Sequence, residues 1–243
     1  MSPFDTTTDL AIDDPFAAAL LDQGAGGELL VERAGGGLFP TSLPWWLRQP
    51  GHCEPVDFMA LDLVGAGPVL DIGCATGRHI EALGAAGVAA EGIDVNPVAV
   101  ALARRHGCAV QCADFWAFRP ARRYRWLLAL GNNLGIAGRL ANLPRFLHGL
   151  AALLAPGGAV LLSSVDWRHP EARAAHCGRP GELRLRLHYA GRCGAWFDWL
   201  YVTPDALEAH ARAAGFSCSI VDRFGEVYVA VLRLAAVMPG TAG

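Results

Sequence analysis

Four short apolar runs each end in residues able to meet a polar ligand, and these are the places in the chain best equipped for chemistry. Asp71 lies within Val69-Leu70-Asp71-Ile72, immediately before the turn Gly73-Cys74-Ala75-Thr76-Gly77; Asp94 closes the run from Ala90, 17 residues past Gly77. Asp114 and Phe115 close a third run from Val110, and Gly131-Asn132-Asn133 follows a fourth, Arg125 to Leu130. Small residues at 73, 75 and 77 let backbone approach a ligand closely. A dinucleotide-binding turn would place glycine at 78, where this chain has Arg78, and a carboxylate at 71 would repel a pyrophosphate. The turn therefore suits a ligand without phosphates.

S-adenosylmethionine offers an ammonium, a carboxylate, a sulfonium, a ribose and an adenine, and the run ends match that inventory. Asp71 is expected to attract the ammonium, and Asp94 to accept both ribose hydroxyls. Asp114 would accept from the adenine amino group while Phe115 offers an apolar face to its ring. Gly73, Cys74, Ala75, Gly77, Val95, Asn96 and Gly131 complete the expected cofactor set. A group leaving the sulfonium of such a ligand is displaced in line at carbon, so the chemistry calls for positioning more than for acid or base. Asn132 and Asn133 are candidates to hold an amine or hydroxyl acceptor, with capping of the next helix an equal reading for one of them. Asp166, followed by Trp167, Arg168 and His169, ends a fifth run and could orient or deprotonate an acceptor, or form a loop salt bridge. Trp45, Trp46, Trp196 and Trp199, with Phe197 and Tyr201, could wall an acceptor pocket or belong to a core. Arg186 shares a strand face with Arg184 and could meet an acceptor carboxylate or stay solvated. His79 is placed on the first helix, near the turn, with no catalytic role.

The elements that must position these residues alternate. The five runs, the fifth being Ala159 to Val165, read as strands, and helices are expected over Arg78 to Gly87, from an Asn96 cap to Gly107, and over Leu140 to Leu154. Such alternation with near-continuously apolar strands implies a doubly wound, mostly parallel α/β sheet. Ser217 to Asp222 and Val227 to Leu232 add an antiparallel C-terminal hairpin after a helix at Pro204 to Ala214, giving seven strands. Residues 1–62 are expected to form a mobile terminus and an N-terminal helical cap. Within the domain at 63–243, residues 169–202 form a small β lid, a hairpin of Leu183 to Tyr189 and Trp196 to Val202.

Composition narrows the function. The chain has 243 residues, 53% of them hydrophobic, with 29 Gly and 15 Pro, which fits one α/β core rather than two full domains. Its 20 basic residues are all arginine, against 23 acidic ones. A lysine Schiff base is thereby excluded, and nucleic-acid binding has little electrostatic support. Seven cysteines, at 53, 74, 108, 112, 177, 193 and 218, lack paired spacing. No disulfide framework or metal site is expected. No apolar run approaches the ~18 to 20 residues needed to cross a bilayer, so no membrane role and a cytoplasmic location are expected. The sequence leaves the oligomeric state open.

The segments VLDIGCATG, EGIDVNP, CADF, LLALGNN and LLAPGGAVLL, in that order, resemble the class I S-adenosylmethionine-dependent methyltransferases over about residues 63–234. The departure is Ala75, where the usual middle glycine of the first motif stands. The resemblance implies a Rossmann-like methyltransferase fold, S-adenosylmethionine as cofactor, and the roles given to Asp71, Asp94 and Asp114. It also implies a transferase acting on N or O of a small-molecule acceptor, in keeping with specialised metabolism. Two other classes stay open at this point: an enzyme that transfers or cyclises the aminocarboxypropyl arm of the same cofactor, and a cofactor-binding protein without turnover.

Overall fold

The structure, a computed structural model, describes residues 14–48, 55–169 and 179–234; the mobile terminus expected at 1–15 lies almost entirely outside them, as do Cys53 and Cys177. In chain order the elements before the main sheet are α1 (Pro15–Leu21), β1 (Leu30–Arg33), β2 (Leu38–Pro40), α2 (Leu43–Trp46) and α3 (Pro55–Leu61). There follow β3 (Val69–Ile72), α4 (Arg78–Ala85), β4 (Ala90–Asp94), α5 (Pro97–Arg105), β5 (Ala109–Cys112) and β6 (Tyr124–Ala129). Next come α6 (Leu143–Leu153), β7 (Leu154–Val165), β8 (Glu182–Tyr189), β9 (Arg192–Cys193), β10 (Phe197–Leu200), α7 (Pro204–Ala213), β11 (Phe216–Phe224) and β12 (Val227–Leu234).

Seven strands form the main sheet in the order β11-β12-β7-β6-β3-β4-β5. The β3–β4, β3–β6, β4–β5 and β6–β7 pairs are parallel, while β12 runs antiparallel to both β7 and β11. The expected Rossmann-like arrangement with its C-terminal hairpin is thus present. The chain leaves β3 towards β4 on one side and returns to β6 on the other, so strand order reverses at β3, where open α/β sheets bind ligands.

Both faces of the sheet are covered, which is why its strands can be apolar throughout. On one face Leu70, Ile72 and Leu127 pack with Phe146 and Leu150 of α6 and Leu207 of α7. On the other, Val69, Leu128 and Leu161 pack with Val56 and Ala60 of α3 and Leu83 of α4. The packing of α3 therefore crosses the division expected at residue 62. Local chemistry sets the helix starts: Asn96 accepts from Val98 and Ala99 N–H at 3.0 Å each, with Pro97 in the first turn.

The expected lid hairpin forms, β8 pairing antiparallel with β10, but it belongs to a larger sheet, and the expected purely helical cap is corrected. Residues 30–40 form a β hairpin, and β1 pairs antiparallel with β8, so that β10-β8-β1-β2 form one second sheet, with β9 appended to β8. Helix α1 buries Ala17, Ala19 and Leu20 with Leu29, Tyr189 and Val98 of α5 in a core of its own. The signal is a turn, Gly35-Gly36-Gly37, with apolar residues on both sides, which by itself reads equally as a break between helices. Strand β7 is longer than expected, beginning at Leu154, and α6 starts at Leu143 after a short 3-10 turn at Leu140–Asn142.

Candidate active site

The carboxyl ends of β3, β4, β5 and β6 face the second sheet across a cavity of about 670 Å³, within the ~300–1,000 Å³ range of small-molecule sites. Asp94, Val95, Asn96, Asp114, Phe115, Gly73, Ala75, Gly131, Asn132 and Asn133 line it from below. Trp45, Trp46, Leu185, Leu187, Trp199 and Tyr201 line it from the cap and lid. A narrower recess alongside is lined by Cys74, Thr76, Arg78 and His79.

The turn after β3 is held from several directions. Gly73 has φ +74°, and a Cβ there would lie 2.6 Å from Asn133 Nδ2, so only glycine is accommodated. Asn133 Nδ2 donates to the carbonyls of Ile72 and Gly73 at 2.8 and 2.9 Å. Ala75 N–H donates to Asp94 Oδ2 at 2.8 Å, while Asp94 Oδ1 accepts from Asn96 N–H at 2.8 Å. Burial outweighs these backbone bonds and raises the Asp94 pKa above its ordinary value. Each of its oxygens keeps a second lone pair for a ribose hydroxyl. Val95 is 66% exposed although apolar, and with Phe115 it offers surface to a flat ring. Asp114 Oδ1 accepts from Trp116 N–H at 2.9 Å, closing the turn after β5. Gly77 and Cys74 support the turn from behind: Cys74 is buried, and burial with the nearby Asp71 and Asp94 charges pushes its thiol up. It acts as packing, not as a nucleophile.

Beneath the turn lies a buried charge network that sequence reasoning missed. Asp57 of α3 and Asp71 of β3 are both 0% exposed, and His79 of α4 stands between them. His79 Nδ1 is 3.2 Å from Asp71 Oδ2, and His79 Nε2 is 3.7 Å from Asp57 Oδ2. Asp57 also accepts from Arg78 Nη2 at 3.0 Å, Gly131 N–H at 3.1 Å and Ser163 Oγ at 3.2 Å. Burial opposes an imidazolium, but the Asp71 and Asp57 carboxylates prevail and push His79 up to about 9. Burial likewise opposes the Asp57 carboxylate, and the bonds and charges of His79 and Arg78 hold its pKa down. Arg78 Nε lies 3.2 Å from His79 Nε2, a contact that a neutral ring nitrogen would accept. We assign the charged imidazolium, because two dry carboxylates facing one guanidinium would leave an uncompensated negative charge. A sequence signal existed: Asp57 is an acid in α3 between core residues Val56 and Ala60, a break in the apolar pattern of its helix.

Of the expected catalytic residues, Asn132 and Asn133 reach the cavity and Asp166 does not. Asn132 has φ +63°, its N–H donates to Ser163 Oγ at 2.9 Å, and its buried Oδ1 has no hydrogen-bond partner. It precedes the 3-10 turn Asn133–Ala137 without capping it. Asp166 is taken by Arg168 at 2.9 Å and faces Arg223; the loop salt bridge is what forms. Trp45, Trp46 and Trp199 line the cavity as expected. Arg186 and Trp196 do not: Arg186 pairs with Glu32 at 2.6 Å and stacks on Trp196 at 4.4 Å. Side chains alternate across a strand. In the β1–β8 register Glu32 faces Arg186 and Val31 faces Leu187, which puts Arg186 on the side away from the cavity.

The residues fit the expected cofactor. Asp71 Oδ1 and Arg78 Nη1 are buried and unpartnered; Arg78 lines the narrower recess, while Asp71 lies behind the turn and lines neither cavity. Arg33 is the one cation among the residues lining the larger cavity and stands on the lid, so the strand tips themselves offer no cradle of positive charge for a cofactor pyrophosphate. Among the described residues no group of three or more His, Cys, Asp or Glu could hold a metal ion, and Cys74, Cys108, Cys112, Cys193 and Cys218 are free. No helix among them is long and apolar enough to cross a membrane.

Sheet order and site together define an α/β protein with a nucleoside-binding cleft at its topological switch point. A family model described as "Methyltransferase domain" matches residues 46–219, and the chain belongs to that family, that of the class I S-adenosylmethionine-dependent methyltransferases. A methyltransferase of Bacteroides fragilis solved with S-adenosyl-L-homocysteine is similar at 27% identity and TM-score 0.82, covering 93% of this chain and 96% of that one. The amino pentose methyltransferase CalS10 of Micromonospora echinaspora, solved with S-adenosylmethionine, shares the fold at 21% identity and TM-score 0.58, over 82% of this chain and 99% of its own. A Streptomyces fradiae relative, dTDP-3-amino-3,6-dideoxy-alpha-D-glucopyranose N,N-dimethyltransferase, is 26% identical over 57% of this chain. The match spans 63% of that relative, less than two thirds of its length.

Proposed function

We propose that the chain binds S-adenosylmethionine at the tips of β3 to β6 and methylates a nitrogen or oxygen of a small molecule, with an amine the favoured acceptor. The observation that carries this reading is the cavity in which Asp94, Asp114, Phe115, Asn132 and Asn133 at the strand tips meet the lid; the buried Asn132 Oδ1 has no protein partner. The bound cofactor supplies an electrophilic methyl on a sulfonium; the chain supplies orientation. Asp71 Oδ1 and Arg78 Nη1 would hold the ammonium and carboxylate, Asp94 the ribose, and Asp114, Phe115 and Val95 the adenine. Asn132 Oδ1 would accept the N–H of an amine acceptor, which fixes the direction of its lone pair. Trp45, Trp46, Trp199 and Tyr201 exclude water and limit the acceptor's size. The names of the Streptomyces fradiae and Micromonospora echinaspora proteins favour an amino sugar over a polymer.

The test is incubation of the full chain with S-adenosylmethionine and a panel of amino sugars, amino acids and phenols, with product masses read by mass spectrometry. An acceptor heavier by one methyl, together with S-adenosylhomocysteine, is expected. Release of methylthioadenosine instead would replace methyl transfer by transfer of the aminocarboxypropyl arm. Cofactor binding with no product from any acceptor class would reject the reading.

A further inference from the structure

The inward face of the lid sheet is apolar at Val31, Leu185, Leu187, Phe197 and Trp199, and carries one charge, Arg33. Arg33 pairs with Leu185 in the β1–β8 register, so alternation turns it to the cavity together with Val31. Its neighbour Glu32 points the other way and is occupied by Arg186 and His188, both at 2.6 Å. The guanidinium of Arg33 lies over the Phe39 ring at 4.5 Å, a stack that orients it without neutralising it. The acids lining the cavity do not serve it. Asp198 pairs with Arg139 at 2.8 Å, Asp14 accepts from Asn96 Nδ2 at 2.6 Å, and Asp94 and Asp114 belong to the strand tips. No carboxylate among the described residues forms an ion pair with Arg33. Tyr201 lines the same cavity; burial raises its phenol, and the Arg33 charge acts on it in the opposite direction.

Arginine on an apolar, cavity-facing strand is a break in pattern of the kind that marks a ligand contact. A guanidinium there matches a carboxylate or phosphate through its planar fork. Resting on the proposed function, we infer that the acceptor carries an anionic group which Arg33 binds, and that this contact selects anionic small molecules over their neutral analogues. Arg33 lies on the lid, separate from the strand-tip residues assigned to the cofactor, so the two interactions can be measured apart.

Calorimetry on the full chain saturated with S-adenosylhomocysteine tests this with two matched pairs: thymidine diphosphate against thymidine, and phenylacetate against phenylacetamide. One anion is expected to bind at least about tenfold more tightly than its neutral partner, as for one hydrogen-bonded charge pair, and more weakly as salt rises. The pair that shows the preference assigns phosphate or carboxylate. Arg33→Met should abolish the preference while S-adenosylhomocysteine affinity and thermal midpoint stay unchanged; Arg33→Lys, which keeps the charge and loses the fork, should retain part of it. Equal binding of anion and neutral partner in both pairs, or a preference that survives in Arg33→Met, would overturn the inference and leave the proposed function standing. Failure of wild type to bind S-adenosylhomocysteine would sink the proposed function and this inference with it.

Discussion

Asp71 and His79, on β3 and α4, bring their side chains within 3.2 Å beneath the glycine turn, and Asp57 of α3 reaches the same imidazole from the opposite side at 3.7 Å. One buried ring thus ties the cofactor-facing strand tip to a helix outside the sheet. Asp57 in turn holds Gly131 N–H and Ser163 Oγ, and Ser163 Oγ accepts from Asn132 N–H. The two turns that border the cavity therefore share one charged support.

That support makes stability depend on pH. His79 is pushed up to about 9 in the folded chain, against about 6.5 when unfolded. Its contribution is therefore fully present below pH ~6.5 and fades as pH rises through about 9. Urea midpoints of wild type and His79→Gln should differ most near pH 6 and converge by pH 10. A gap that does not narrow, or an imidazole resonance that stays in its neutral position from pH 6 to 10, would show that the Arg78 contact, not the carboxylates, sets the ring's state.

Asp94 binds two backbone N–H groups, from Ala75 and Asn96, so its removal affects the turn as well as the ribose. Asp94→Ala should weaken S-adenosylhomocysteine binding by about 1–3 kcal/mol, with more lost if the freed Ala75 N–H stays unsatisfied. Calorimetry showing wild-type affinity would mean that the tip of β4 does not face the cofactor.

The two asparagines after β6 are expected to separate. Asn133 clamps the Ile72 and Gly73 carbonyls, so Asn133→Ala should raise the cofactor Kd tenfold or more, by the loss of two hydrogen bonds at about 1 kcal/mol each. Asn132 lines the cavity and its buried Oδ1 has no partner, so Asn132→Ala should lower kcat while leaving cofactor Kd within twofold. The reverse pattern would exchange their roles.

The parallel sheet was legible because its signals are local: apolar runs, glycine turns and an Asn-Pro helix start repeat in order, and each strand end carries its own polar residue. Asp94, Asp114 and Asn133 could thus be placed from spacing alone. The lid sheet was not legible, because β1 and β8 pair across more than 150 residues, as Arg186 and Glu32 do, and only that register decides which face each side chain takes. Shifting a strand by one residue exchanges its faces, which is why Arg186 reads from sequence as a candidate acceptor contact beside a solvated-face reading, and Arg33 does not stand out. The pairing of His79 with Asp57 and Asp71 escapes the sequence for a related reason: it needs three elements to pack.

Gly135 supplies the sharpest test of how the lid is seated. It lies in the 3-10 turn after Asn132 and Asn133, and a Cβ at this position would stand 2.0 to 2.4 Å from three atoms of the Trp199 indole. Trp199 lies on β10 of the five-stranded lid sheet, so its ring cannot rotate away without moving β10 or leaving the cavity wall. Gly135→Ala should therefore cost about 1–3 kcal/mol by overpacking and displace Trp199. Tryptophan fluorescence should shift, and acceptor KM should rise while cofactor Kd changes little, because Asp71, Asp94 and the glycine turn lie on other elements. In a Trp199→Ala background, where the clash is gone, Gly135→Ala should cost little, a coupling that the double-mutant cycle reads. If Gly135→Ala costs as much in the Trp199→Ala background as in wild type, the ring is not what excludes a side chain at 135, and the lid sits differently on the strand tips.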